Sequence, residues 1–74
     1  MKIEVKLFAS LRIDRFKAAV QNYAAGTIVE QIADKLKITR KDSLIILVNG
    51  KHSTLNHCLN DGDTVSFLPL IGGG

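Results

Sequence analysis

Only one stretch of this chain repeats its apolar residues with a helical period; the segments around it alternate or run straight. Ile28, Ile32 and Leu36 recur every four residues, with Val29 and Ala33 beside them, and together they form one apolar stripe. Glu30, Gln31, Asp34 and Lys35 fall on the wet side. A lone helix with one apolar face must bury it against another layer, and the rest of this chain has the period of strands, so the second layer is a sheet. Gly26-Thr27 opens the helix. The spacing predicts a capping box, in which Thr27 accepts from the amide of Glu30 and the Glu30 carboxylate reaches back to Thr27. The helix is expected to end near Lys37–Thr39.

The strands read as follows. Ile3, Val5 and Leu7 alternate with Lys2, Glu4 and Lys6, the period of two that marks a strand with one buried face. Phe16, Ala18 and Val20 alternate with Lys17, Ala19 and Gln21 and suggest a second strand, with Ala9–Arg15 as a long hairpin connection. Leu44–Val48 is continuously apolar and reads as a third strand, more buried than the first. Asn49-Gly50 then tolerates positive φ at both positions and signals a type I′ turn, which returns the chain along Lys51–Leu55. Asp61-Gly62-Asp63 makes another turn, and Thr64–Pro69 forms the last strand with Val65 and Phe67 inward. Pro69 lacks an amide donor and should end that strand or lie at an edge. The order is ββαβββ, an α+β fold with a mixed sheet over a single helix, and it resembles the β-grasp of ubiquitin.

With 74 residues the chain is one domain. Apolar residues make up 46% and charged residues 23%, the composition of a globular chain rather than a disordered one. Cys58 is the only cysteine, so no internal disulfide can staple the fold and the core must hold it. Cys58 itself is expected as a small buried residue. His52, His57 and Cys58 lie close in sequence, but they match no usual zinc spacing, and no metal site is expected. The net charge is +3, yet the basic residues are scattered and only three Phe and one Tyr are available for stacking. A nucleic-acid partner is therefore not expected, while an acidic protein partner fits the charge. The longest apolar run, Leu44–Val48, cannot span a membrane. Met1-Lys2-Ile3-Glu4-Val5-Lys6 carries an acid and lacks the pattern of a signal peptide, so the chain is expected to be cytoplasmic.

After Pro69 the sequence reads Leu70-Ile71-Gly72-Gly73-Gly74. Three glycines add nothing to a core and raise the entropy cost of being ordered, which is the pattern of a frayed end or a linker remnant. Against that, Leu70 and Ile71 are apolar and lead directly into the glycines, where a purely solvating tail would be polar. Bare glycines ending in a carboxylate suit a backbone that threads a narrow channel. The five steps from Pro69 to Gly74 span roughly 17 Å, enough to reach a partner's buried active site. The expected organisation is a folded domain at 1–69 and a flexible tail at 70–74.

Phe67–Gly74 resembles the Phe-x-Pro-Pro-Val-x-Gly-Gly ending of the small subunit of molybdopterin synthase, with Gly73-Gly74 as that family's diglycine. Asp61-Gly62-Asp63-Thr64-Val65 resembles the Asp-Gly-Asp-x-Val before that ending. Leu7-Phe8-Ala9-Ser10-Leu11-Arg12 resembles the segment that closes the family's first strand. Leu70 stands where the family has its second proline, and Gly72 lengthens the glycine run.

The resemblance, to the MoaD/ThiS-like and ubiquitin-like sulfur carriers, implies a protein co-substrate rather than an enzyme. It implies no bound cofactor. A ubiquitin-activating-like enzyme would use ATP to adenylate Gly74, sulfur would replace AMP to give a thiocarboxylate, and the tail, with Gly72 and Gly73 in the channel, would enter the molybdopterin synthase large subunit. A thiamine-pathway carrier and a protein modifier conjugated through Gly74 share this ending and remain alternatives. Independently, if Ile3, Val5 and Leu7 point inward then Phe8 points outward, and Leu68 does so when Val65 and Phe67 are inside. Phe8 and Leu68 are thus expected to anchor partner docking on the exposed sheet face, with Arg12 at the rim and Leu70 at the root of the tail.

Overall fold

In the computed structural model, which describes residues 1–70, the alternating N-terminal segment forms strand β1 (Lys2–Leu7). Its Ile3, Val5 and Leu7 are fully buried while Lys2, Glu4 and Lys6 face away from the core. Strand β5 (Thr64–Pro69) lies beside it in parallel, pairing Val5 with Val65 and Leu7 with Phe67, so inward residues meet inward residues at the centre of the sheet. Strand β2 (Ala18–Asn22) flanks β1 on one side, and β3 (Leu44–Val48) flanks β5 on the other, both antiparallel. Strand β4 (Lys51–His52) completes a five-stranded sheet of order β2-β1-β5-β3-β4. One helix, α1 (Val29–Lys35), crosses the inner face and buries Val29, Ile32 and Ala33. The expected ββαβββ order and mixed β-grasp sheet are what the chain forms. No helix among the described residues is long and apolar enough to cross a membrane.

The ends of α1 are built differently from the sequence expectation. The cap lies one residue later, at Ile28, whose amide donates to Oε1 of Gln31 at 2.8 Å. The Thr27 hydroxyl instead donates to the carbonyl of Ala24 at 2.7 Å, and the Glu30 carboxylate accepts from Lys41 at 3.1 Å. The reason is tertiary. The amides of Val29 and Glu30 donate to the carbonyls of His57 and Leu55 at 3.0 and 2.8 Å, so a neighbouring loop satisfies the first turn and no hydroxyl is needed there.

At the other end Lys37 takes a left-handed conformation, φ 61°. The amide of Lys37 donates to the carbonyl of Asp34, and that of Ile38 to the carbonyl of Ala33. This is the double closure of a Schellman motif with lysine in the usual glycine position. It stops the helix at Lys35, two residues before the expected Lys37–Thr39, and turns Ile38 into the core.

Four further expectations are corrected. β2 begins at Ala18 rather than Phe16. A 3-10 turn (Ala9–Arg12) and positive φ at Ala9 and Asp14 lengthen the connection and reset the alternation, so Ala19 and Gln21 face inward opposite Val5 and Ile3. β3 is less buried than β1, not more. Its Ile46 and Val48 are buried, but Ile45 and Leu47 are half-buried because among the described residues no second layer covers the outer face, and Leu44 is half-buried at the end of the inner face, packed against the core. The returning strand is two residues long instead of five: Lys51 and His52 pair with β3, the Ser53 amide adds one bond to the carbonyl of Ile46 at 2.9 Å, and the chain then turns away. Cys58 is exposed: the loop after β4 turns Leu59 into the core, and this leaves its neighbour outside.

Candidate functional site

The main-chain pairing of β1 and β5 continues past Leu7: the amide of Phe8 donates to the carbonyl of Phe67 at 3.2 Å, which sets Phe8 level with Leu68. Both side chains lie on the outer face and are half-buried. Ile45 is the cross-strand neighbour of Leu68, and Leu47 that of Ser66, so two β3 residues extend the same apolar surface. Arg12 roofs it. Its guanidinium sits 5.4 Å from the centroid of the Phe8 ring, and its Nε donates to the carbonyl of Leu7 at 2.7 Å. That pairing of a cation with an aromatic face holds an exposed side chain in place. Pro69 is the last residue of β5, opposite Leu44, where its missing donor costs nothing.

The chain then leaves the sheet under control. The amide of Leu70 donates to the carbonyl of Ser43 at 2.8 Å, and its side chain is 57% exposed. Phe8, Leu68 and Arg12 are therefore gathered at one end of the outer face, and Leu70 follows at the end of β5, beside Ser43. Gly72, Gly73 and Gly74 lie outside the described residues.

Beside this root a groove is lined by Leu11, Arg15, Ile38, Arg40, Leu44 and Leu70, among others. Arg15 is the residue that sequence reading missed. Its Nε donates to the carbonyl of Leu36 at 2.9 Å, Nη1 to that of Leu11 at 3.1 Å and Nη2 to that of Lys37 at 3.3 Å. One guanidinium thus ties the C-terminus of α1 to the 3-10 turn after β1, satisfying end carbonyls with a cation where the helix dipole favours one. A single basic residue in a loop carries no pattern that announces such a clamp.

Two electrostatic clusters brace the surroundings. Lys41 donates to Glu30 at 3.1 Å and to Asp34 at 2.5 Å; these hydrogen bonds, that to Asp34 first and then that to Glu30, raise its pKa above the ordinary lysine value. In the Asp61-Gly62-Asp63 turn, Asp63 accepts from the amide of Asn60 at 2.8 Å and from Nδ2 of Asn49 at 2.9 Å, which hold its carboxyl below the ordinary value. Asn49 Oδ1 in turn accepts from the amide of Thr64 at 2.9 Å, so the turn after β3 is locked to the start of β5. Among the described residues no three of His, Cys, Asp and Glu are placed to hold a metal ion. Around Leu68 the outer face has the chemistry of contact, apolar side chains with Arg12 above Phe8 and Lys6 in the next row beside Ser66.

The sequence pattern of the ThiS family matches residues 5–74. Among curated proteins no sequence match is found. Three of the similar solved structures illustrate the likeness. SAMP1 of Haloferax volcanii, a small archaeal modifier protein, is 21% identical, with all of each chain covered and a TM-score of 0.81. In a complex of subunits 1 and 2 of the molybdopterin-converting factor of Helicobacter pylori, the matching chain is 24% identical, with all of each covered and a TM-score of 0.66. The thiamine biosynthesis protein of Geobacter metallireducens is 23% identical, again with full coverage of both chains, at a TM-score of 0.67. At these identities the likeness is one of fold.

Proposed function

The chain belongs to the ThiS family of small, ubiquitin-like carrier proteins that are not themselves catalysts, and on that premise we propose that it carries sulfur on Gly74 for assembly of the molybdopterin dithiolene. The observation that carries the reading is that the family match runs through the glycines to residue 74.

The chemistry follows from the carboxylate. A carboxylate is a poor electrophile, so a ubiquitin-activating-like enzyme first adenylates it: a Gly74 oxygen attacks the α-phosphorus of ATP and pyrophosphate leaves. A sulfur nucleophile then attacks the acyl carbon and AMP departs, which leaves a thiocarboxylate. The chain supplies no acid or base to these steps. Its part is to dock through Phe8 and Leu68, with Arg12 at the rim and Leu70 at the root, and to present 70–74 as a tail whose Gly72 and Gly73 fit a channel too narrow for side chains. The receiving protein is a large subunit of molybdopterin synthase, in which the sulfur attacks the pterin precursor. The H. pylori subunit 1, whose fold this chain shares, is found in complex with a subunit 2, and this supports a partner of that kind.

A second reading is favoured by the similarity to SAMP1: conjugation of Gly74 to a target lysine, which shares the adenylation step and diverges when an amine replaces sulfur. A thiamine-pathway carrier, the third, would deliver the same thiocarboxylate to a different acceptor. Deleting Gly73-Gly74 tests the proposal. In a reconstituted dithiolene-forming assay with the large subunit the full chain is expected to support synthesis and the truncated chain to support none. Synthesis by the truncated chain would overturn the carrier role.

A further inference from the structure

The two edges of the sheet are protected very differently. β4 closes one side with two residues, Lys51 and His52, and a strand so short and charged resists extension by another chain. β2 closes the other with Ala18-Ala19-Val20-Gln21-Asn22, a strand with no charge and no proline. It pairs with β1 through five consecutive positions without a bulge. Among the described residues none of the usual protections of an exposed edge is present.

The parity of its hydrogen bonds shows what that edge offers. Met1 and Tyr23 exchange two bonds, the Met1 amino group to the Tyr23 carbonyl at 2.7 Å and the Tyr23 amide to the Met1 carbonyl at 2.8 Å. At the far end the Leu7 amide donates to the carbonyl of Lys17 at 2.9 Å. Hydrogen-bonded pairs in an antiparallel ladder recur at every second residue, so Lys17, Ala19, Gln21 and Tyr23 direct their main-chain groups to β1. Ala18, Val20 and Asn22 direct theirs away from the sheet, and among the described residues no other element meets them. Val20 is also 65% exposed, on the outer face opposite Glu4.

We propose that β2 is a self-association surface, pairing antiparallel with β2 of a second copy about a two-fold axis through Val20. In this register each Val20 faces its own counterpart and each Ala18 faces Asn22. All of these are outward-bonding residues, so every free N–H meets a free C=O, with about six main-chain hydrogen bonds across the seam. An isologous seam of this kind needs only the one edge, presented twice. The two Val20 side chains cover each other on the outer face as a cross-strand pair. Lys17 falls opposite Tyr23, whose ring already carries the Lys35 ammonium at 5.1 Å, so the seam is weakest at its ends and is favoured by screening salt.

The contact is small and belongs to the weak end of specific association. The root of the tail, at the end of β5, lies two strands in from this edge, about 10 Å away. Pairing at β2 therefore leaves the docking face and the tail of each copy free, and the inference stands whether or not Gly74 carries sulfur.

The test is sedimentation velocity of the full chain from about 10 µM to 1 mM, in about 0.15 M salt to screen the net positive charge. It is paired with amide shifts measured over the same range. The wild type is expected to move from the monomer toward the dimer, with the largest shifts at Ala18, Val20 and Asn22. Val20→Lys places like charges across the axis. Val20→Pro removes a donor that β1 does not use, so the monomer is left paired. Both variants are expected to stay monomeric at 1 mM with the thermal midpoint of the wild type at low concentration. A wild type that stays monomeric at 1 mM overturns the proposal and leaves the edge to a strand of another protein. It is also overturned if both variants associate as the wild type does, or if the shifts centre on Phe8, Leu68 and Ile45.

Discussion

The inner and outer faces of this one sheet are made from alternate residues of the same strands, and they do different work. On β5, Val65 and Phe67 point inward and are fully buried; Ser66 and Leu68 point outward and are half-buried. On β1 the same division separates Ile3, Val5 and Leu7 from Glu4 and Lys6, and continues to Phe8 beyond the strand. The inner face is sealed by α1, Ile38 and Leu59. Among the described residues the outer face has no second layer; around Leu68 it gathers Phe8, Ile45 and Leu47, with Lys6 in the next row beside Ser66 and Glu4 beyond it. Adjacent residues on one strand thus separate what holds the fold from what is available for contact.

The sharpest way to break that comparison is to truncate neighbours. Phe67→Ala should cost about 3–5 kcal/mol, a large part of the stability of about 5–15 kcal/mol usual for a domain, and chemical denaturation measures it directly. Leu68→Ala or Phe8→Ala should leave the fold intact while weakening partner binding by about 1–3 kcal/mol. Calorimetry against the activating enzyme and the large subunit checks this, and unchanged affinity for both would move the docking face elsewhere.

A smaller effect probes the seal of the inner face. Lys37 occupies a left-handed position that glycine takes without strain. Lys37→Gly should therefore raise stability by about 0.5–1 kcal/mol at constant denaturant slope, whereas a loss would mean that its side chain holds more than its backbone costs. The smallest effect belongs to Asp63. Its carboxyl is held below the ordinary value by the Asn60 amide and then by Asn49. The stability it contributes is therefore present above the unfolded carboxylate range, near pH 4, and lost as pH falls through the lowered folded value. An acid titration of Asp63→Asn should show a shallower decline below about pH 4 than the wild type.

How much of this was legible in the sequence depended on whether a residue's position followed from local period or from distant contacts. β1, β5 and α1 were readable because Ile3-Val5-Leu7, Val65-Phe67 and Val29-Ile32-Ala33 each keep one face through the element, while Ile28 and Leu36 of the same stripe became its half-buried caps. The outward direction of Phe8 and Leu68 followed from the same alternation. Ile45 and Leu47 were hidden in an unbroken apolar run, which reads as burial on both faces when only one is covered. Cys58 and Leu59 sit in a connection with no period, so nothing distinguished which of them would turn inward. The helix cap was misplaced because its donors are met by the carbonyls of Leu55 and His57, more than twenty residues away in sequence. Arg15 was invisible for the same reason: its three acceptors come together only in the folded chain. The chemistry of the tail was legible only through its resemblance to a known ending, since no geometry of glycines specifies sulfur.

The central claim, that Gly74 accepts sulfur, is tested most directly by the intact mass of the purified chain after incubation with ATP, an activating enzyme of the ubiquitin-activating-like class and a sulfide source. Exchange of one carboxyl oxygen for sulfur predicts a gain of about 16 Da confined to the C-terminal peptide. A mass that stays unchanged while ATP is turned over to AMP and pyrophosphate, or a gain that appears only as an amide to a lysine of another protein, would contradict it.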